Sequence, residues 1–349
     1  MRVVLLAALP VVISASIGCA APASPEQASD EQALAWTATL AYGQHRPAAI
    51  AVDATHVYWT ASDPSGDVYP FDRRHRVLRV AKTGGVVETL ASGRRSLVGL
   101  AVDASHVYWL EQAKSCATND GSVLRVPKSG GSVETLATSI ACGAVSANSQ
   151  MVVDDVHVYF GGDGGVRVLP KAGGTPAVFA VAGPNPHASR ASTVLLRADA
   201  TTVFWGDAYG PLWVQPKSGG PKVKLLDESP WIAALDDTHV YFVRDRTVWR
   251  VPKEGGAAEA LGPADGDGTA AIAVDDAHVY WSSTTERTIR RIPKTGAPAS
   301  ERFAVGEMAR DLALDDASVF FPHYGTEYVA WMTPEYVANS GAIRRRTKH

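Results

Sequence analysis

The chain has 349 residues, with 33 Lys and Arg against 36 Asp and Glu, a net charge of −3. That balance leaves no basic surplus for nucleic acid, and the one basic run, Arg344 to Arg346, falls inside a segment of strand type. Length alone suggests two or three domains, a division that the internal repeat of this sequence removes.

The first segment, residues 1–19, carries one positive charge (Arg2), an apolar run to Ile17 and then small residues. It is too short for a membrane span and is followed by polar chain, which is the pattern of an export signal. Ile17-Gly18-Cys19-Ala20 resembles a bacterial lipobox, although Ser16 departs from the usual aliphatic residue; the resemblance implies a lipid-modified Cys19. Ordinary cleavage near Ala21 or Ala23 is the alternative. Residues 20–33 read as a flexible linker, and residues 34–349 as a single domain. Contact with a membrane is expected only through the N-terminal lipid.

Within that domain one phrase recurs. AVDATHVYWT (Ala51 to Thr60) returns as AVDASHVYWL (Ala101 to Leu110), and worn copies follow around Asp154, Asp199, Asp236, Asp275 and Asp315. These aspartates lie 50, 51, 45, 37, 39 and 40 residues apart. A second phrase alternates with the first: VLRVAKTGG at Val77, VLRVPKSGG at Val123, VRVLPKAGG at Val166, LWVQPKSGG at Leu212, VWRVPKEGG at Val248 and IRRIPKTGA at Ile289. Each repeat therefore reads as four short strands. Strand A ends in the aspartate, which turns the chain by bonding its own downstream backbone. Strand B is the Val-Tyr-Trp run, of residues that strands favour. Strand C ends at Pro-Lys-x-Gly-Gly, whose glycines supply the positive φ of a hairpin into strand D.

Repeated four-stranded units of this length predict an all-β, seven-bladed β-propeller. The last repeat stops after GAIRRRTK (Gly341 to Lys348) and lacks strand D, whereas Thr37 to Asp53 aligns without a gap on Val87 to Asp103. The N-terminal strand is thus expected to complete the last blade and close the ring, leaving no wide edge unpaired. The blades resemble YWTD and NHL propeller repeats and those of exported bacterial proteins. The resemblance is architectural: Tyr58-Trp59-Thr60 is followed by Ala61, not Asp.

In such a ring the B–C and D–A connections emerge on one face and the A–B and C–D turns on the other. From repeat Asp to repeat Lys takes 29, 25, 17, 18, 17, 19 and 33 residues in blades 1 to 7, so blades 7, 1 and 2 carry long B–C insertions. The D–A connections leaving blades 2 and 3 are long as well. All fall on one arc of one face, the usual mark of a binding face. Blade 1 places there Tyr69, Phe71, Asp72, Arg73, Arg74 and His75; blade 7 places His323, Tyr324, Glu327, Tyr328 and Trp331. Rings give contact area and forked charges give direction, which suits an envelope protein, a peptide or a glycan. The plainer reading is that these residues pack on one another to hold long loops down.

Five histidines (His56, His106, His157, His239, His278) share one repeat position, taken by Thr202 and Ser318 in blades 4 and 7. Such a position wants a short hydrogen-bonding side chain, not a metal ligand. His45, His75 and His323 come from adjacent blades on the loop-rich face and offer a metal or general-base cluster, but without a ligand motif's local spacing. Asp265-Gly266-Asp267-Gly268 lacks the later Glu of a calcium loop and reads as a polar turn. The repeat Lys and Asp residues are expected in solvated pairs worth about 0–1 kcal/mol each. No residue pattern calls for a cofactor, and none supplies a nucleophile. The alternative to a binding scaffold is a metal-dependent enzyme at the channel mouth, as in propeller lactonases and streptogramin lyases. The strand A residues expected there, Ala48, Val98, Ser149, Val194, Trp231, Ala270 and Arg310, form no acidic ring; Trp231, Arg310 and Asp311 are the ones placed to touch a ligand.

Cys116 lies in a B–C loop and Cys142 in the D–A connection of the same blade, so the two can meet on one face in a compartment where disulfides persist. The expected outcome is that neither reacts with a maleimide until reductant is added; partial labelling of both in its absence would rule the bridge out.

Overall fold

Tyr58 and Trp59 are adjacent in sequence and both are buried, yet they belong to different cores. Tyr58 packs with Leu90, Trp109 and Leu124, whereas Trp59 packs with Leu40, Phe320 and Ile343. Successive side chains of a strand point to opposite faces, so the Val-Tyr-Trp run fills two cores at once. Every other repeat does the same. Tyr108 meets Phe160, Tyr159 meets Trp205, Phe204 meets Phe242, Tyr241 meets Trp281, and Tyr280 meets Phe321. Burial on both faces is why the inner strands are continuous apolar runs rather than alternating ones.

The computed structural model describes residues 37–63, 74–95, 97–113, 118–140, 151–162, 165–181, 193–207, 210–266, 268–325, 327–330, 333–336 and 339–348. Its main strands form seven four-stranded antiparallel sheets, the blades of a β-propeller. Blade 1 runs Ile50–Val52, His56–Ser62, His75–Ala81 and Glu88–Arg94 as strands A to D. Blades 2 to 6 repeat that order, their A strands beginning at Leu97, Met151, Thr193, Ala233 and Thr269. The seven A strands neighbour one another all the way round and wall the central channel. Blade 7 takes strands A to C from Ala313–Leu314, Ser318–His323 and Gly341–Thr347, and its outer strand from Thr37–Gln44. Thr37 pairs with Arg346 and Gln44 with Gly341, so the ring closes as the alignment of the chain ends predicts. One element was not legible in sequence: within the blade 7 insertion, Glu327–Ala330 pairs with Thr333–Tyr336 as a separate hairpin.

The turns on the plain face are nearly identical. In blade 1, the Asp53 carboxylate accepts from the amides of Thr55 and His56 and from the Tyr58 hydroxyl. Thr55 Oγ1 meets His56 Nδ1 at 2.8 Å, and the same link recurs at Ser105–His106 and Thr238–His239, which gives the repeat histidine a structural part. Gly130 and Gly131 adopt φ of 84° and 129°, the left-handed backbone that the Pro-Lys-x-Gly-Gly hairpin requires.

The repeat Lys and Asp differ from the expectation of solvated pairs. Each lysine reaches the aspartate of the preceding blade: Lys128 to Asp53 at 2.7 Å, Lys171 to Asp103 at 2.6 Å, Lys217 to Asp154 at 3.0 Å, Lys253 to Asp199 at 2.7 Å, and Lys348 to Asp275 at 2.9 Å. Lys294 reaches Asp236, and Lys82 crosses the closure to Asp315 at 2.6 Å. The lysine side chains are only 10–20 % exposed, because each ammonium also lies 5.1–6.0 Å from the centre of an aromatic ring of that preceding blade. Arg79, Arg125, Arg250, Arg291 and Arg345 add a second link, each donating to the backbone carbonyl of the next blade's lysine.

Burial alone would raise the Asp53 carboxyl, but the Lys128 ammonium, the two turn amides and the Tyr58 hydroxyl reverse this and hold it well below the ordinary range. Asp154 and Asp275 are brought down to about 2 in the same way. A carboxyl depressed on folding contributes stability above its unfolded value, near 3.8, and that stability is lost as pH falls toward about 2. Acid unfolding should therefore be steep between these values. Asp53→Asn is expected to cost about 2–3 kcal/mol in urea unfolding at neutral pH. Glu88→Gln, which breaks the outer Arg79 pair of a half-exposed glutamate, should cost less than about 1 kcal/mol. Equal losses would mean that the joints between blades are no stronger than ordinary surface pairs.

Candidate functional site

Two regions depart from the repeat: the loop-rich face and the channel. On that face the sequence-predicted residues divide into three groups. Tyr69, Phe71, Asp72, Arg73 and Trp331 lie outside the described residues, as do Cys19, Cys116 and Cys142. Glu327 and Tyr328 have a described backbone, in the extra hairpin, but no described side chains. Arg74, His75, Trp231, Arg310, His323 and Tyr324 are placed in full.

Arg74 and His75 open strand C of blade 1, where the Arg74 carbonyl accepts from Asp63 N at 2.7 Å and His75 pairs with Ser62 and Arg94. The guanidinium of Arg310 stacks on Tyr324, 4.0 Å from the ring centre. Trp231, in the connection from blade 4 to blade 5, is 54 % exposed. His323 is buried: its Nδ1 meets Glu307 Oε2 at 3.0 Å, while Arg344 holds the other oxygen of that fully buried glutamate. His45 is buried as well, and its Nδ1 accepts from the Asn339 amide at 3.4 Å. Among the described residues no three His, Cys, Asp or Glu side chains are placed to hold one metal ion.

Further charge pairs tie this rim. Arg94 meets Glu111 at 2.6 Å, Arg95 meets Asp120 at 2.5 Å, and Arg290 meets Asp265 at 2.9 Å. The Asp265 segment thus serves as a polar connection from blade 5, fastened to blade 6. Together with Glu307, these pairs show that much of the rim's charge anchors loops. Among the described residues Arg310 stacks on Tyr324, and Tyr42 and Trp231 are exposed aromatic side chains.

The channel holds the second site. An open cavity of about 350 Å³ is lined by residues in or beside strand A of all seven blades, among them Ile50, Leu100, Met151 and Ile272. Its lining includes Asp311 but neither Arg310 nor Trp231, so of the three residues expected to touch a channel ligand only Asp311 lines it. Arg197 lines it too, and sequence reasoning passed over it. The signal was present: six repeats carry Ala or Val two residues before the repeat aspartate, and blade 4 alone carries Arg.

Both oxygens of Asp311 accept from backbone, Oδ2 from Ile50 N and Oδ1 from Leu312 N, each at 2.9 Å. Burial pushes its carboxyl up to about 7, against the pull of the Ile50 amide, Arg197 and the Leu312 amide. Burial lowers the Arg197 guanidinium, with the attraction of Asp311 opposing.

No protein-family model and no curated protein sequence matches this chain. Its fold is similar to that of virginiamycin B lyase from Staphylococcus aureus, with a TM-score of 0.63 and 11 % identity over 89 % of this chain and 98 % of that one. It is also similar to BamB from Moraxella catarrhalis, with a TM-score of 0.55 and 13 % identity over 86 % and 85 %. The computationally designed Ika8 protein gives a TM-score of 0.55 at 16 % identity over 88 % and 98 %. Identities this low establish a shared fold and nothing about the site.

Asp311 has its own signature in stability. Its folded value exceeds the 3.8 of a free carboxyl, so the native state holds a proton that the unfolded chain has lost between those values. The stability it contributes is complete below about pH 4 and is lost as pH rises through about 7. Wild type should therefore lose stability relative to Asp311→Asn between pH 5 and pH 8. A pH-independent difference in urea midpoints would mean that the carboxyl titrates normally.

Proposed function

We propose that this chain is an exported, lipid-anchored propeller that binds an envelope protein, a peptide or a glycan through the loop-rich face of blades 7, 1, 2 and 3. The observation that carries this reading is the contrast between the two faces. On the plain face the repeat side chains are consumed by turns and by joints between blades. On the other face blade 7 adds a hairpin of its own, and Arg310 stacks on Tyr324 above the ring. Trp231, in the connection from blade 4 to blade 5, is a separate exposed ring. Aromatic rings and arginine are the groups that anchor protein interfaces, and the same rings stack on sugars. Export rests on the sequence of residues 1–19, and lipid attachment on Cys19.

A photo-reactive amino acid placed at Tyr324 or Arg310, in cells that make the chain, should trap one and the same partner. The same group at Ser129, in a plain-face turn, should trap nothing. Equal trapping from both faces, or from neither, would overturn this reading.

A further inference from the structure

Arg197 belongs to blade 4 and Asp311 to blade 7, which stand three places apart in a ring of seven, so the two charges face each other across the channel. They attract one another but form no direct ion pair. Among the described residues the Arg197 guanidinium makes one hydrogen bond, from one terminal nitrogen to the carbonyl of Leu196 at 2.9 Å. The rest of its donor fork, five N–H groups in all, is left for whatever occupies the cavity. The other lining residues are Ala, Leu, Ile, Met and Val, so Arg197 and Asp311 are the charged side chains among the described residues of the lining. The remaining nitrogens of Arg197 are not among the buried atoms without a partner, so they reach the cavity, and six of seven blades show that the fold does not need a guanidinium there.

We propose that the channel binds a small zwitterion, its carboxylate on the Arg197 fork and its ammonium on the Asp311 carboxylate. The class follows from the walls. A bidentate guanidinium matches a carboxylate in shape as well as charge, and an acidic group on the far wall rewards a cation at the other end of the same molecule. A cavity of about 350 Å³ is at the small end of ligand sites and suits an amino-acid-sized compound rather than a nucleotide or a peptide. The site is separate from the loop-rich face and stands whether or not that face binds a partner.

The two ends of such a ligand answer differently to pH. Arg197 and Asp311 are the titratable side chains of the lining, and Arg310, next along the chain, is turned onto Tyr324. Asp311 ionises around pH 7, so an ammonium is held better as pH rises from 6 to 8, and its arrival drives a proton off the carboxyl. A plain anion is held worse over the same range, because the ionised Asp311 repels it.

The test is calorimetric titration of the purified full chain with glycine, β-alanine, 4-aminobutyrate and 6-aminohexanoate, alongside acetate and inorganic phosphate. One member of the amino-acid series should bind about tenfold or more tightly than acetate. Its affinity should rise between pH 6 and pH 8 with release of a proton, and Arg197→Ala should remove binding. Asp311→Asn should remove the pH dependence and the preference over acetate. Should Arg197→Ala melt early in circular dichroism, Arg197→Gln, which keeps a long polar side chain without the charge, takes its place. No binding by wild type, binding that survives the Arg197 change, or phosphate or acetate binding alone that tightens as pH falls would each overturn the proposal.

Discussion

The joint between neighbouring blades is the constraint on which this molecule rests. A single four-stranded sheet buried on both faces has no stability of its own; it needs another sheet on each side. What sets one blade against the next is a repeated three-part contact: an ammonium from one blade, a carboxylate from its predecessor, and the aromatic ring on which the ammonium lies. The carboxylate also turns its own strand by accepting from two backbone amides. One side chain therefore shapes a hairpin and fastens the next blade, which couples local geometry to the assembly of the ring. Because a charge can be half-buried there only when both partners are present, the contact enforces spacing as well as strength.

Most of this was written in the sequence, because repetition exposes what each position must do. The Val-Tyr-Trp run, the aspartate turn and the Pro-Lys-x-Gly-Gly hairpin recur often enough to define four strands, and the gap-free alignment of Thr37 to Asp53 on Val87 to Asp103 gives the closure. What the repeat could not tell was which copy of each residue meets which. Lys128 and Asp103 belong to one repeat, but Lys128 crosses to Asp53, since the turn after strand C of one blade meets the turn after strand A of the one before. Periodicity gives positions within a unit, not partners between units. For the same reason the pairs were expected in solvent, whereas the rings of the adjacent blade cover them.

The site was less legible, for a different reason. Aromatic and charged residues gather in the insertions, yet composition cannot separate recognition from anchoring. Glu307, His323 and Arg344 satisfy one another in the interior, and Arg290 and Asp265 fasten a connection, although in sequence they look no different from Arg310 or Tyr324. Arg197 is the opposite case. It sits in a worn copy of the repeat, where a departure from Ala is easily taken for drift, and only the closed ring shows that the substituted position faces the channel.

Closure by the first strand has a consequence for how the chain is made. Thr37 and Arg346, paired in the final sheet, are separated by almost the whole length of the domain. Of the strands of the ring, the first to emerge from the ribosome has no partner until the last to emerge is free. Throughout synthesis the growing ring is an open arc, with one sheet face and one backbone edge bare at each end, and such edges invite pairing with other chains. The interval between the first blade and the last is therefore the time when this protein is most exposed to misassembly, and it lengthens with every blade added.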